Sequence, residues 1–457
     1  MILRTYLLVY LFCAGAVFAA EPSELAKAAP ERLSQYIQVN TVNPPGTEIA
    51  GARFLAKVLE EAGIAYEISE SAPGRGNLWA TLKGGSEPAL VLLHHMDVVP
   101  ADERFWDVDP LSGVIQDGYV WGRGALDMKG LGIVQLQAFL ALHAAAKKLN
   151  RDVIFIATAD EEAGGSFGAG WLAENRADLF KNVGFLLNEG GGGSIEGNET
   201  VFYVELTQKV PVWLRIVAHG NPGHGSAPQT QTAVTRLLRA GQRLAETEFE
   251  ARVIPAADAM FKGIAPFQTQ ALQSRYENMA QSVQDPEFMA LLKLTNPRHH
   301  ALLRNACSIT RLNASDKINV VPAEASLEMD CRVLPDQNVD AFISEIATIV
   351  NDGSVRIEKL MAFTPAVTSP DTPLYELISD LTAARHPGSR VISSMSSGFT
   401  DSHFFRDMGI SCYGFSPVVV APEDGRGVHG NNERVSLAAL IEGTQTMIEL
   451  VKAFTGT

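Results

Sequence analysis

Five short clusters carry the residue types that hydrolytic chemistry needs. His94-His95-Met96-Asp97 closes an apolar run ending at Leu93, and Asp160-Glu161-Glu162 follows the run ending at Ala157. Asn188-Glu189 follows Leu187, and Asp127 lies where a glycine-rich loop from Trp121 meets a helical pattern. His429 sits in Val428-His429-Gly430-Asn431-Asn432-Glu433, just before the last helical pattern. Ionised groups are poor residents of buried elements unless they pair or bind metal. In open α/β sheets, sites form outside the carboxyl ends of strands. Taken singly, each cluster has an ordinary reading: a surface His–Asp pair, a solvated acidic turn, a glycine-flanked loop, a helix-terminus His. Together, at successive strand ends, they read as a site for metal held by His, Asp and Glu.

The elements that must position these groups follow from hydrophobic periodicity. Residues 22 to 70 read as helices, with Leu33, Tyr36 and Ile37 and then Phe54, Leu55, Val58 and Leu59 on single faces. Continuous apolar runs at 89–93, 153–157 and 183–187 read as strands covered on both sides, and 127–149 as a long helix between them. Strands alternating with helices predict an α/β fold with a mostly parallel sheet. From Pro211 the pattern changes, and Ser326–Val333 alternates with period two, placing Glu328, Asp330 and Arg332 on one polar face. We therefore expect a catalytic domain built from 21–210 and 361–457, interrupted at 211–360 by an inserted α+β domain.

Composition narrows the field. The 457-residue chain carries 52 acidic against 37 basic residues, a formal charge of −15, and shows no Lys/Arg run, which argues against nucleic acid as a partner. Residues 1–20 have a charged start, an apolar run from Tyr6 to Phe18 and a small-residue ending, the pattern of an export signal cut after Ala19 or Ala20. Export to a periplasmic or extracellular space, with no stable membrane anchor, is the expectation. Cys307, Cys331 and Cys412 remain after that cut. Cys307 and Cys331 could pair, but buried thiols are equally ordinary in such strand-like segments. Asn198 and Asn313 stand in glycosylation-type triplets.

Three motifs, His95–Pro100, Gly122–Gly130 and Asp160–Gly165, resemble the di-zinc metallopeptidase family of aminoacylases, glutamate carboxypeptidases and succinyl-diaminopimelate desuccinylase. The resemblance spans nearly the whole chain after residue 20, and the ending Val428–Glu433 is most similar to the carboxypeptidase S and secreted N-acyl-amino-acid hydrolase branch. It implies that Asp127 bridges two zinc ions, with cobalt or manganese as substitutes, that His95 and Glu189 complete one ion's protein ligands, and that Glu162 and His429 complete the other's. It implies that Asp97 accepts a hydrogen bond from the far nitrogen of His95. Glu161, whose side chain points differently from that of Glu162, would take the proton of a metal-bound water and return it to the leaving amine. The inserted domain would act as lid and homodimer contact. His224 would polarise the scissile carbonyl in a partner's site, Asn319 and Arg332 would hold a substrate carboxylate, and Gly398 would offer backbone contacts. His94 is read as structural. Asn188 stands where many relatives have Asp, and the segment from about 250 to 305 is longer than a compact lid requires.

These readings predict hydrolysis of an amide beside a free carboxylate: a C-terminal peptide bond, a dipeptide or an N-acyl amino acid. A two-metal phosphoesterase is the rival within the same chemistry, and the Asp-Glu-Glu cluster favours amide hydrolysis because it supplies both a ligand and a base. A catalytically silent metal- or peptide-binding protein is the rival from another class, and the retention of Glu161 speaks against it.

Overall fold

The apolar runs that read as buried strands pair with one another. In the computed structural model, which describes residues 23–457, Glu87–His95 lies between Arg151–Thr158 and Val183–Asn188, and Ser411–Gly414 follows. All these pairings are parallel. Arg75–Leu82 and Tyr66–Ala72 extend one side antiparallel, and Glu199–Gln208 with Arg390–Ser396 extends the other. Ten strands form this sheet among the described residues. The segment expected as helix up to residue 70 ends its helical part at Glu61 and enters the sheet as Tyr66–Ala72, where Ile68 packs towards the core. The export signal expected over 1–20 lies outside the described residues.

Both faces of the sheet are covered. On one face lie the helices Ala29–Ile37, Glu48–Glu61, Lys129–Ala144 and Leu437–Thr455. Lys129–Ala144 is buried almost all round, which its uniformly apolar sequence requires. On the other face Leu172, Phe180 and Phe405 pack against Val91, Leu93 and Ile156. Parallel strands covered on both sides end at one edge, and His95, Asn188 and the Asp160 turn sit there.

A second sheet of four antiparallel strands runs in the order Ala306–Asn313, Glu324–Val333, Val210–His219, Val355–Ala362. The helices Ala233–Glu246 and Val339–Val350 cover its apolar face. A Cys307–Cys331 disulfide links the first two strands, and Cys412 is free and buried in the large sheet. Buried residues of the expected insert at 211–360 fall in two clusters. Helices between Pro255 and Ala301 bury Phe261, Ile264 and Met279 in a cluster with Val201, Ile392 and Met395, which belong to the edge of the large sheet. That edge exposes apolar side chains, and the long helical segment covers them.

Candidate metal centre

Asp127 is the hinge of the arrangement. Its Oδ1 lies 3.2 Å from His95 Nε2, and its Oδ2 lies 3.0 Å from His429 Nε2. Glu189 Oε1 is 3.8 Å from the same His95 nitrogen, and Glu162 Oε2 is 3.1 Å from His429 Nε2. The five residues thus form two groups of three ligand atoms, His95–Asp127–Glu189 and Asp127–Glu162–His429, each with its atoms within 4.8 Å of one another. The shared carboxylate turns one oxygen to each group.

Each member owes its place to a local device. His95 ends its strand and donates from Nδ1–H to the Asp97 backbone carbonyl, 2.9 Å away. The Asp97 carboxylate stands 3.6 Å from that nitrogen. Its oxygens are occupied elsewhere, accepting from the backbone N–H groups of Glu161 and Glu162, each at 3.1 Å, and from Asn43 Nδ2 at 2.8 Å. Asp97 therefore holds the acidic turn by its side chain and His95 by its main chain. Asp160, which opens that turn, has φ +70°, and Gly164 and Gly165 after it are also left-handed. His429, at φ +54°, is held in a loop and remains half exposed.

The motif Val428–Glu433 assigns Glu433 no role, and the geometry of its buried side chain supplies one. Its carboxylate accepts from the N–H groups of Gly124, Leu126 and Asp127 and from Arg123 Nη1. Asp401 is a second such residue: its buried carboxylate accepts from Thr158 Oγ1 at 2.8 Å, and burial pushes its pKa up to about 8. Glu433 ends the Val428–Glu433 motif and Asp401 follows Gly398 by three residues, yet only tertiary contact distinguishes them from surface acids.

The electrostatics are those of crowded carboxylates. Burial raises Glu161 well above the ordinary carboxylate range, and the charge of Glu189 adds to it. Burial also lifts Glu189 to about 7 and raises Glu162. Burial alone would lower His95, but Glu189, Asp127 and Asp97 outweigh it and hold the ring well above its usual value. Hydrogen bonds to Asp127 and Glu162 raise His429 to about 10. His94 is different: burial lowers it to about 3, and its ring packs on Phe155, a structural place as expected. Oε1 atoms of Glu161 and Glu162 are buried with no hydrogen-bond partner. Buried unpartnered carboxylate oxygens beside two imidazoles fit divalent cations in their chemistry, since a cation would satisfy the oxygens and relieve their mutual repulsion.

The other predicted residues lie on a separate two-stranded ribbon, in the four-stranded sheet and in a nearby loop. Gly223–His224 pairs with Val320–Val321, and Gly225 N–H donates to the Asn319 carbonyl, so exposed His224 and Asn319 share one ribbon. No hydrogen bond or ion pair joins that ribbon to the carboxylate cluster among the described residues. Arg332 is paired with Asp330 at 2.9 Å, and its Nη1 is buried without a partner. Its guanidinium lies 5.3 Å from the Phe399 ring centre, which brings it beside the loop of Gly398. Gly398 is exposed, and its N–H donates to Ser396 Oγ.

A doubly covered parallel sheet with two His–carboxylate groups at its strand ends, joined by one shared carboxylate, offers the donor set that a metallohydrolase needs. Over residues 91–453 the chain matches Peptidase family M20/M25/M40, and it belongs to that family. It is 30% identical to the N-fatty-acyl-amino acid synthase/hydrolase PM20D1 of Homo sapiens over 386 residues, covering 80% of this chain and 75% of that one. It is 26% identical to aminoacylase-1B of Rattus norvegicus over 427 residues, covering 92% and 93%. The fold is also that of an M20 family metallo-carboxypeptidase from Sulfolobus solfataricus, with TM-score 0.72 at 18% identity, covering 94% of this chain and 99% of the other. No helix among the described residues is long and apolar enough to cross a membrane.

Proposed function

We propose that the chain is an exported, zinc-dependent amidohydrolase that cleaves an amide next to a free carboxylate, with N-acyl amino acids, dipeptides or C-terminal peptide bonds as substrates. The observation that carries this reading is the shared Asp127 between two ligand groups, with Glu161 buried beside them. The donor set of two imidazoles and three carboxylates suits zinc, and accommodates cobalt or manganese. His95, Asp127 and Glu189 would hold one ion, and Asp127, Glu162 and His429 the other. Bound there, the cations would supply an activated water and polarise the amide carbonyl.

Glu161 is the general base. Its buried carboxylate has a free oxygen and a raised proton affinity, so it can take a proton and later hand it to the departing amine. Asp97 positions it by accepting from its backbone N–H. Arg332, with one unpartnered N–H group, would bind the substrate carboxylate together with Asn319, and Gly398 would contribute backbone contacts. His224 on its exposed ribbon would serve the site of a second copy. A homodimer through the smaller sheet is supported by the unpaired outer edge of Ala306–Asn313. The Cys307–Cys331 disulfide supports export, because such bonds persist in oxidising compartments.

The test is release of free amino acid from a panel of N-acyl amino acids and dipeptides, with zinc added, beside Glu161→Gln. Turnover that collapses in the variant while metal content holds supports the reading. Cleavage of phosphoesters with no amide turnover would overturn it.

A further inference from the structure

Arg75 opens the strand Arg75–Leu82, and its side chain is only 12% exposed. Its Nη1 donates to Glu48 Oε1 at 2.6 Å and lies 3.4 Å from Asp160 Oδ1. Its Nη2 donates to Asn43 Oδ1 at 3.0 Å. Glu48 is fully buried, and its other oxygen has no hydrogen-bond partner among the described residues. Among those residues Arg75 makes no hydrogen bond or ion pair with a ligand atom of the metal centre.

The loop after Asn43 is shaped around this guanidinium. Gly46 has φ +82°, a conformation that strains residues with a side chain. A Cβ there would also overlap Nη1 and Cζ of Arg75. A free arginine could swing aside, but this one is held at its far end by Glu48 and Asn43. Glycine leaves the room that the guanidinium fills.

The guanidinium decides which way the Asn43 amide faces. An arginine can only donate, whereas an amide has one accepting and one donating end. Asn43 must therefore turn its oxygen to Arg75, which leaves Nδ2 to donate to Asp97 Oδ2, 2.8 Å away. Asp97 in turn accepts from the backbone N–H groups of Glu161 and Glu162. Turned over, the amide would set its oxygen against the Asp97 carboxylate and leave two buried acceptors facing each other.

Resting on the function proposed above, we propose that Arg75 is a positioning residue for amide cleavage, acting through Asn43 and Asp97 on the turn that carries Glu161 and Glu162. Its charge also offsets Glu48 and Asp160, buried carboxylates that are costly without a counter-ion.

The test follows kcat and KM for an N-acyl amino acid at saturating zinc in the full-length protein. The variants are Arg75→Met, Arg75→Lys, Asn43→Leu and the double variant Arg75→Lys with Asn43→Leu, each checked for folding by circular dichroism. Arg75→Met lowers kcat about 10- to 100-fold with KM nearly unchanged, the range typical of groups that orient metal-site residues. Arg75→Lys keeps the buried charge, and so the fold, even where Arg75→Met does not, but it lacks the planar fork and also loses kcat. The double variant falls no further than the more damaged of its two single variants, because both substitutions break one chain of contacts. Wild-type kcat in folded Arg75→Lys overturns the inference, and so do losses that multiply in the double variant. Absence of amide turnover by the wild-type protein overturns the proposed function and this inference with it; turnover that the folded variants match overturns the inference alone.

Discussion

Arg123 Nη1 donates to Glu433 Oε2 at 2.7 Å, and both side chains are buried. The same guanidinium donates to the carbonyls of Gly427 and Gly430, and the same carboxylate gathers three N–H groups of the Asp127 loop. This pair ties together the loops that carry Asp127 and His429. Glu433→Gln keeps the shape but removes the charge, leaving Arg123 buried without its counter-ion. The expected result is a loss of metal affinity at the Asp127–Glu162–His429 group of about 10- to 100-fold. Calorimetric titration of metal-free protein with zinc reads it, with the other group affected less.

Glu161→Gln removes the proton acceptor while preserving size and hydrogen-bonding capacity. We expect kcat to fall by about 10² to 10⁴, with two metal equivalents still bound per chain. Loss of metal in step with activity would mean that Glu161 is a ligand instead.

The metal-free protein has a definite pH behaviour. Glu189 is raised from its ordinary 4.5 to about 7 and His429 from 6.5 to about 10, so the folded state holds more protons than the unfolded state through Glu189 at mildly acidic pH and through His429 from neutral pH to about 10. Their stabilising contribution is fully present below the unfolded values and fades as pH rises through the folded ones. Stability of metal-free protein should therefore decline from neutral pH towards pH 10. Zinc displaces those protons, so binding releases them and the thermal shift on adding zinc should grow as pH rises. Melting curves across pH, with chelator and with zinc, check both statements.

Arg332→Ala should raise KM about 10- to 100-fold for substrates with a free carboxylate, the loss expected for a charge-assisted hydrogen bond. Substrates with an amidated carboxyl end should lose little. Arg332→Lys should not restore the wild-type KM, because a lysine cannot hold Asp330 and a carboxylate together as a planar fork does.

Reduction of Cys307–Cys331, or replacement of both by Ser, should cost about 2 to 4 kcal/mol of stability in the smaller sheet. Denaturant unfolding with and without reductant measures it. Cys412 is buried, and alkylation after reduction in the folded state should spare it.

Much of the site was legible because its residues stand at the ends of apolar strands. His95, Asp127, Glu161, Glu162, Glu189 and His429 are all short-range readings, each a polar cluster at the end of an element that hydrophobic periodicity identifies. The helix-to-strand change after Glu61 was not legible, since Tyr66–Ala72 is half exposed and its alternation weak. Nor was the packing of the helices from Pro255 to Ala301 on the large sheet. Their apolar faces would serve equally well against either sheet, and the choice depends on which edge is left uncovered.

Sequence alone determined the parallel α/β core, the cluster of acids and imidazoles, and the polar face that carries Arg332. These follow from periodicity and from the cost of burying charge, which are local properties. Tertiary structure alone decided that one carboxylate of Asp127 serves two groups, that Asp97 grips the acidic turn rather than the His95 ring, and that Glu433 and Arg123 brace the loops behind. It also decided that Cys307 faces Cys331 and that a cavity adjoins Asp127 and Glu189. Each is a contact between segments far apart in the chain, and such contacts are set by how packed elements meet, not by the pattern within any one of them.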